Sequence, residues 1–189
     1  MDDQTTRERV LEAAERLFYS RGIQAVTMDQ LRADAGVPLK RMYAQFPSKE
    51  SIVAEVLRRR QRSWTQRLTA AVAAVPDPQG RLLAVYDFLE QWFDEDDFRG
   101  CAFINSFGEL GGTSPVVAEL AREHKQAFFD YVGELVAQAG APAALAPQLA
   151  LLAEGAQSSA AILPDSHSAA HARRAAETLI AAALRPVAA

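Results

Sequence analysis

Residues 27–46, TMDQLRADAGVPLKRMYAQF, constrain this chain more than any other stretch, because their start and stop signals fall at fixed spacings. Thr27 is a good N-cap and Gln30 lies three residues on, so the two can satisfy each other's orphan amides as a capping box. Leu31 and Ala35 then share one helical face. Gly36 stands where the helix must stop in a left-handed conformation, which glycine adopts at little cost. Val37 is an apolar plug at the corner, and Pro38 brings the fixed φ of a first helical turn. The spacing predicts a second short helix from about 38. Met42 and Phe46, at i and i+4, turn inward with Val37, leaving Leu39, Lys40, Arg41, Tyr43, Ala44 and Gln45 wholly or partly outward.

That outward set mixes two cations, a phenol and an amide. Cations and hydroxyls hold phosphates, while amides, guanidinium groups and apolar contacts read base edges, so the mixture suits a helix-turn-helix in a DNA groove. An ordinary helical hairpin with a solvated charged face is the competing reading of the same residues. The longer run Thr27…Ala35-Gly36-Val37…Met42-Tyr43…Phe46-Pro47-Ser48-Lys49-Glu50 resembles the TetR family of bacterial transcriptional regulators. The resemblance implies phosphate contacts from Thr27, Tyr43 and Lys49, base-facing positions at Met28, Pro38, Leu39, Lys40 and Arg41, and Gln45 near the DNA backbone. Two positions depart from the family pattern. Members usually carry Ser or Thr where Pro38 stands, and often a small residue where Lys40 stands, so a capping hydroxyl is missing and a charge is added.

Charge divides along the chain. Residues 1–67 hold 13 Lys and Arg against 9 Asp and Glu, whereas residues 68–189 hold 7 against 15. A basic part that contains the helix pair and an acidic remainder is the asymmetry expected when only one part meets phosphate, although Arg58, Arg59, Arg60 and Arg62 also fit the solvated face of a helix. No apolar run reaches the ~18 residues of a membrane span, and Met-Asp-Asp-Gln is acidic where a signal peptide is basic, so a cytoplasmic protein is expected. The single cysteine, Cys101, excludes an intrachain disulfide and cysteine-based zinc sites.

The remaining periodicity is helical throughout. A first helix over about 6–20 starts with a Thr5/Glu8 capping box and buries Val10, Ala13, Ala14, Leu17 and Phe18 before Gly22 ends it. A long helix capped by Ser48 carries Ile52, Val53, Val56, Leu57, Trp64, Leu68 and Val72 towards Pro76, about seven turns able to report a distant event to the recognition helix. Pro76–Gly80 reads as a break, followed by a helix over about 81–94. The stretch 99–112, RGCAFINSFGELGG, resembles the start of the sixth helix in many members of the family. Its Asn105 reads either as a polar group among aromatics awaiting a ligand or as a side chain bonded to backbone. Ser114 and Pro115 open a helix to about 138, whose inward stripe includes His124, a satisfied core residue or a polar handle. Trp64, Phe88, Trp92, Phe103, Asn105, Phe107, His124, Phe128 and Tyr131 are the candidate lining of an effector site. Two alanine-rich helices, near 143–163 and 166–185, read as a four-helix dimer seam with the same pair in a second copy, in agreement with the family, whose last two helices dimerise.

Serine-elbow, phosphate-loop and dinucleotide glycine motifs are absent, and no enzyme activity or cofactor is expected. His167 and His171, at i and i+4, read as solvated histidines or as two metal ligands lacking a third. Asp94–Asp97 read as a solvated acidic loop or a cation site, and Cys101 as a buried small hydrophobe or a sensor thiol. The expectation is an all-α chain of about nine helices, with residues 1–50 as DNA-binding domain and 51–189 as ligand-binding and dimerisation domain. Its function is expected to be that of a homodimeric repressor on a near-palindromic operator, released by a small, mainly apolar effector. The alternative is a helical small-molecule-binding protein whose head has lost specific DNA binding.

Overall fold

The computed structural model describes residues 2–163 and 167–185, and among them there are nine α-helices and no strand. In chain order these are α1 Asp3–Arg21, α2 Met28–Ala35, α3 Leu39–Gln45, α4 Lys49–Ala73, α5 Pro78–Phe93, α6 Ala102–Leu110, α7 Pro115–Gln138, α8 Leu145–Ile162 and α9 Ser168–Ala183. The all-α expectation holds, and α2, α4 and α7 start on the expected caps Thr27, Ser48 and Ser114.

Two starts differ from expectation. Helix α1 begins at Asp3, because the Asp2 carboxylate accepts the Thr5 amide at 2.7 Å and the Thr6 hydroxyl donates to the Asp2 carbonyl at 2.9 Å. An aspartate earlier in the chain thus takes the role expected of Thr5. Helix α5 begins inside the stretch read as a break. Asp77 accepts the Gly80 amide at 2.6 Å, and Pro78 occupies the first turn, where its missing N–H costs nothing. The expected start of α9 at 166 lies outside the described residues.

The described residues form two compact units. The first comprises residues up to Ser63 together with Ala102–Glu123. Within it α1 packs on α2 and α3, and α2 on α3. The core takes Val10, Ala14 and Leu17 from α1, Leu31 from α2, Met42 from α3, Phe46 beyond it, and Ile52, Val53 and Leu57 from α4, all buried. Fully burying one such side chain contributes roughly 1.5–3 kcal/mol, so Met42 and Phe46 hold α3 from below.

The second unit comprises Trp64–Cys101 and the described residues from His124 onwards. There α5, α8 and α9 pack on one another. The Tyr86 hydroxyl, buried on α5, donates to the Leu149 carbonyl at 2.8 Å. Ala150, Ala153 and Ala176 are almost wholly buried, so small side chains permit the close approach of these helices. Much of the stripe expected to meet a second copy is therefore used inside one chain: Leu145, Leu149, Ala156, Ala172, Ala176 and Ile180 are all buried. Among the residues that α8 leaves outside are Leu151, Gly155, Ser158 and Ile162, spaced along one face, with Leu151 63% and Ile162 75% exposed.

Candidate functional site

The site on the first unit starts with the turn between α2 and α3. Thr27 accepts the Gln30 amide at 3.2 Å while the Gln30 side chain accepts the Thr27 amide at 2.8 Å, so both halves of the capping box form. Gly36 closes α2 at φ 64° and ψ 35°, and the next amide, of Val37, reaches back to the Arg32 carbonyl at 3.1 Å. In this left-handed conformation a Cβ costs ~1–2 kcal/mol, which explains the glycine. Val37 is buried at the corner. Pro38 is the N-cap of α3 at φ −65° and makes no side-chain cap bond; only its carbonyl serves, accepting from Arg41 and Met42 at 3.0 and 3.1 Å.

With Met42 and Phe46 in the core, one side of α3 is committed to the outside. Pro38, Leu39, Lys40, Arg41 and Tyr43 are exposed, as is the cap Thr27, while Met28, Gln45 and Lys49 are half-buried. Tyr43 is 46% exposed, so its phenol is open to solvent. Just beyond, Ser48 and Ser51 bond reciprocally, Ser51 N–H to Ser48 Oγ at 3.1 Å and Ser48 N–H to Ser51 Oγ at 3.3 Å, fixing the start of α4 beside α3. Lys49 holds its ammonium 6.0 Å above the Phe18 ring. Partial burial lowers its pKa, and the Glu109 carboxylate opposes that shift.

Glu109 is a residue that the sequence reading missed. From the end of α6 its carboxylate accepts the Ile23 and Gln24 amides at 2.9 and 2.8 Å, and its carbonyl accepts from the Gln24 side chain at 2.7 Å. It fastens the α1–α2 connection on which the helix pair depends. No local pattern announces a pairing across 86 residues. The same unit neutralises many of its own cations: Arg7 and Arg58 pair with Glu55, Arg16 with Asp34, Arg32 with Asp29, Arg59 with Glu8 and Glu15, and Arg60 with Glu15.

The expected effector lining separates. Trp64, Phe88, Trp92, His124 and Phe128 come together in the second unit, with ring centroids 6.0, 6.5, 5.2 and 5.6 Å from Trp64 in that order. The rings meet edge to face, the arrangement their quadrupoles favour. Tyr131 is half-buried in the same unit, its pKa raised by burial. Phe103, Asn105 and Phe107 belong to the first unit. Phe103 is buried, but Asn105 is exposed and Phe107 53% exposed, so the inward, aromatic surroundings considered for Asn105 are not found. Asn105 instead borders a cavity of about 30 Å³ with Phe18, Ile23, Val53 and Glu109.

Beside the aromatic rings lie groups whose association the sequence did not reveal. Cys101 is buried, with its Sγ 3.7 Å from Lys125 Nζ and 4.0 Å from His124 Nε2, and Lys125 forms an ion pair with Glu154. Burial, reinforced by the Lys125 charge, pushes the His124 pKa down to about 3, so its imidazole is neutral at physiological pH. The His171 Nδ1 lies 2.7 Å from the Arg174 guanidinium, and Glu95 of the acidic loop pairs with Arg67. Among the described residues no group of three or more His, Cys, Asp or Glu side chains converges on a metal position, and no helix is long and apolar enough to cross a membrane.

A capped helix, a glycine turn and a second helix anchored from beneath, with its cations, phenol and leucine facing out, define a helix-turn-helix regulator that binds duplex DNA. Residues 10–56 match the family described as bacterial regulatory proteins, tetR family. The chain is 27% identical over 154 residues to the HTH-type transcriptional regulator YjdC of Escherichia coli, covering 79% of this chain and 80% of YjdC. It is 31% identical over 90 residues to the HTH-type transcriptional regulator TtgW of Pseudomonas putida, covering 40% of this chain and 67% of TtgW. The crystal structure of SCO4454, a TetR-family transcriptional regulator from Streptomyces coelicolor, superposes with a TM-score of 0.88 at 28% identity, over 96% of this chain and 97% of that one. The chain belongs to the TetR family, and it is a DNA-binding transcriptional regulator.

Proposed function

We propose that this regulator is a cytoplasmic homodimeric repressor without catalytic activity, which leaves a near-palindromic operator when a small, mainly apolar effector enters its second unit. The observation that carries the reading is the exposure of Leu39, Lys40, Arg41 and Tyr43 on a helix whose opposite side, Met42, is in the core with Phe46 just beyond it. In this reading Lys40 and Arg41 face base edges with Met28, Pro38 and Leu39, while Thr27, Tyr43 and Lys49 hold phosphates and Gln45 lies near the backbone. Residues 1–50 carry the DNA-binding function, and residues 51–189 effector binding and dimerisation.

Dimerisation places two such faces on a twofold axis, which is what a two-half-site operator requires. The copies meet through the last two helices, and the apolar stripe that α8 keeps outside, Leu151 to Ile162, supplies the contact. The effector acts by differential affinity: it favours a conformation whose helices mismatch successive major grooves, and by linkage DNA weakens effector binding by the same factor. Helix α4, continuous from Lys49 to Ala73, contributes residues to both units and so joins the two events.

The test is to select bound duplexes from a random pool and then screen small molecules for release. A recovered inverted repeat, lost from the protein on adding an apolar compound, is the expected outcome. Weak, sequence-blind binding to every duplex would overturn the reading in favour of a small-molecule-binding protein with an inactive head.

A further inference from the structure

The aromatic cluster of the second unit leaves one polar atom unanswered. Trp64 Nε1 is sealed from solvent and has no hydrogen-bond partner among the described residues. A buried N–H without an acceptor costs ~1–3 kcal/mol, and folded proteins retain few of them. The surroundings explain why no protein group answers it. The rings around the indole are Phe88, Trp92, Phe128 and His124. The two phenylalanines have no acceptor and the indole of Trp92 offers only a donor, while the neutral imidazole of His124 carries one acceptor nitrogen that forms no hydrogen bond with Trp64 Nε1.

Charge narrows the chemistry further. Lys125, next to His124, is matched by Glu154, and Arg67, whose guanidinium lies 5.7 Å over the Phe88 ring, is matched by Glu95. His124 is uncharged at physiological pH. An anion or a cation entering here gives up its hydration and finds its natural partner already bound to an opposite charge, whereas a neutral molecule gives up little.

We infer that the Trp64 indole N–H is the hydrogen-bond donor of the effector site, and that the effector is a neutral aromatic molecule carrying an acceptor such as a carbonyl oxygen. The inference rests on the proposed effector response of the second unit and adds the chemical class of the ligand. The ring of such a molecule stacks among Phe88, Trp92 and Phe128, and its oxygen satisfies the one donor they leave unpaired.

Acetophenone, ethylbenzene and benzoate test this on the full chain, since they share a ring and differ in acceptor and charge. The indole N–H resonances are followed by ¹H–¹⁵N NMR, with Trp64 distinguished from Trp92 by the Trp64→Phe variant. Acetophenone is expected to move the Trp64 N–H resonance downfield and to bind about tenfold more tightly than ethylbenzene or benzoate, the factor one satisfied donor provides. In Trp64→Phe the preference for acetophenone over ethylbenzene falls to about threefold or less. Equal affinities in the wild type, an unmoved Trp64 resonance at saturating acetophenone, binding of none of the three, or a preference that survives in Trp64→Phe would overturn the inference. Trp92→Phe makes the same assignment by elimination, so the wild-type shift decides the matter even if Trp64→Phe is poorly folded. A selected operator duplex titrated in parallel separates the two readings. Release by ethylbenzene as readily as by acetophenone leaves the repressor standing and removes the acceptor, while failure to select any duplex removes the repressor whatever the NMR shows.

Discussion

At the scale of single residues, direction of exposure decides role. Arg41 lies on the open side of α3, and Arg41→Ala is expected to relax operator choice by about 1–3 kcal/mol at one base pair, since guanidinium contacts to base edges discriminate by that amount. Lys49 starts α4 with its ammonium over Phe18, and Lys49→Ala is expected to weaken binding to all duplexes and flatten the salt dependence by about one phosphate's worth. Gel-shift series at several salt concentrations distinguish them; identical behaviour of the two variants would refute this division. His124 makes a prediction in the other unit. Its folded pKa, about 3, lies below the ordinary 6.5, so between these values the unfolded chain holds the extra proton and stability falls as the pH is lowered. Urea unfolding at pH 7 and pH 5 should show a loss in the wild type that is larger, by about 2 kcal/mol, than the loss in His124→Phe.

Individual elements show what a sequence can announce and what it cannot. Starts and stops were legible wherever the signal is local: the Thr27/Gln30 box, Gly36, the Ser48 cap and the Ser114 hydroxyl, which accepts the Val117 amide at 3.2 Å. The true cap of α1 was missed because Asp2 and Thr5 offer equally good signals three residues apart, and Pro78 because a proline ends one helix and starts another with the same chemistry. Helix α6 was the least legible. Over nine residues its period fits several faces, and which face turns inward is set by distant partners, so Asn105 and Phe107 lie outside while Glu109 finds two amides in the α1–α2 connection. Glu109→Ala leaves those amides without their acceptor. It is expected to cost about 1–3 kcal/mol and to accelerate hydrogen exchange at Ile23 and Gln24 well before α1 is affected, which NMR exchange measures residue by residue. Unchanged protection at both amides would show that the clamp does not hold the connection.

For the molecule as a whole, the question is which surface would meet a second copy in the proposed dimer. The seam read from alanine content is largely occupied within the chain, and the stripe of Leu151, Gly155, Ser158 and Ile162 remains. Leu151→Glu should shift sedimentation from dimer towards monomer and lower operator affinity by at least about tenfold, because a single head then meets a single half-site. A variant that remains dimeric and binds normally would place the contact elsewhere. The pairing of Arg7, Arg16, Arg32, Arg58, Arg59 and Arg60 with carboxylates of their own unit has a different consequence. Grip on arbitrary sequence comes from cations that displace condensed counterions along the duplex. With those guanidinium groups engaged at home, binding to duplex of arbitrary sequence is expected to be weak and to have a shallow salt dependence, which gel shifts on a random duplex at several salt concentrations measure.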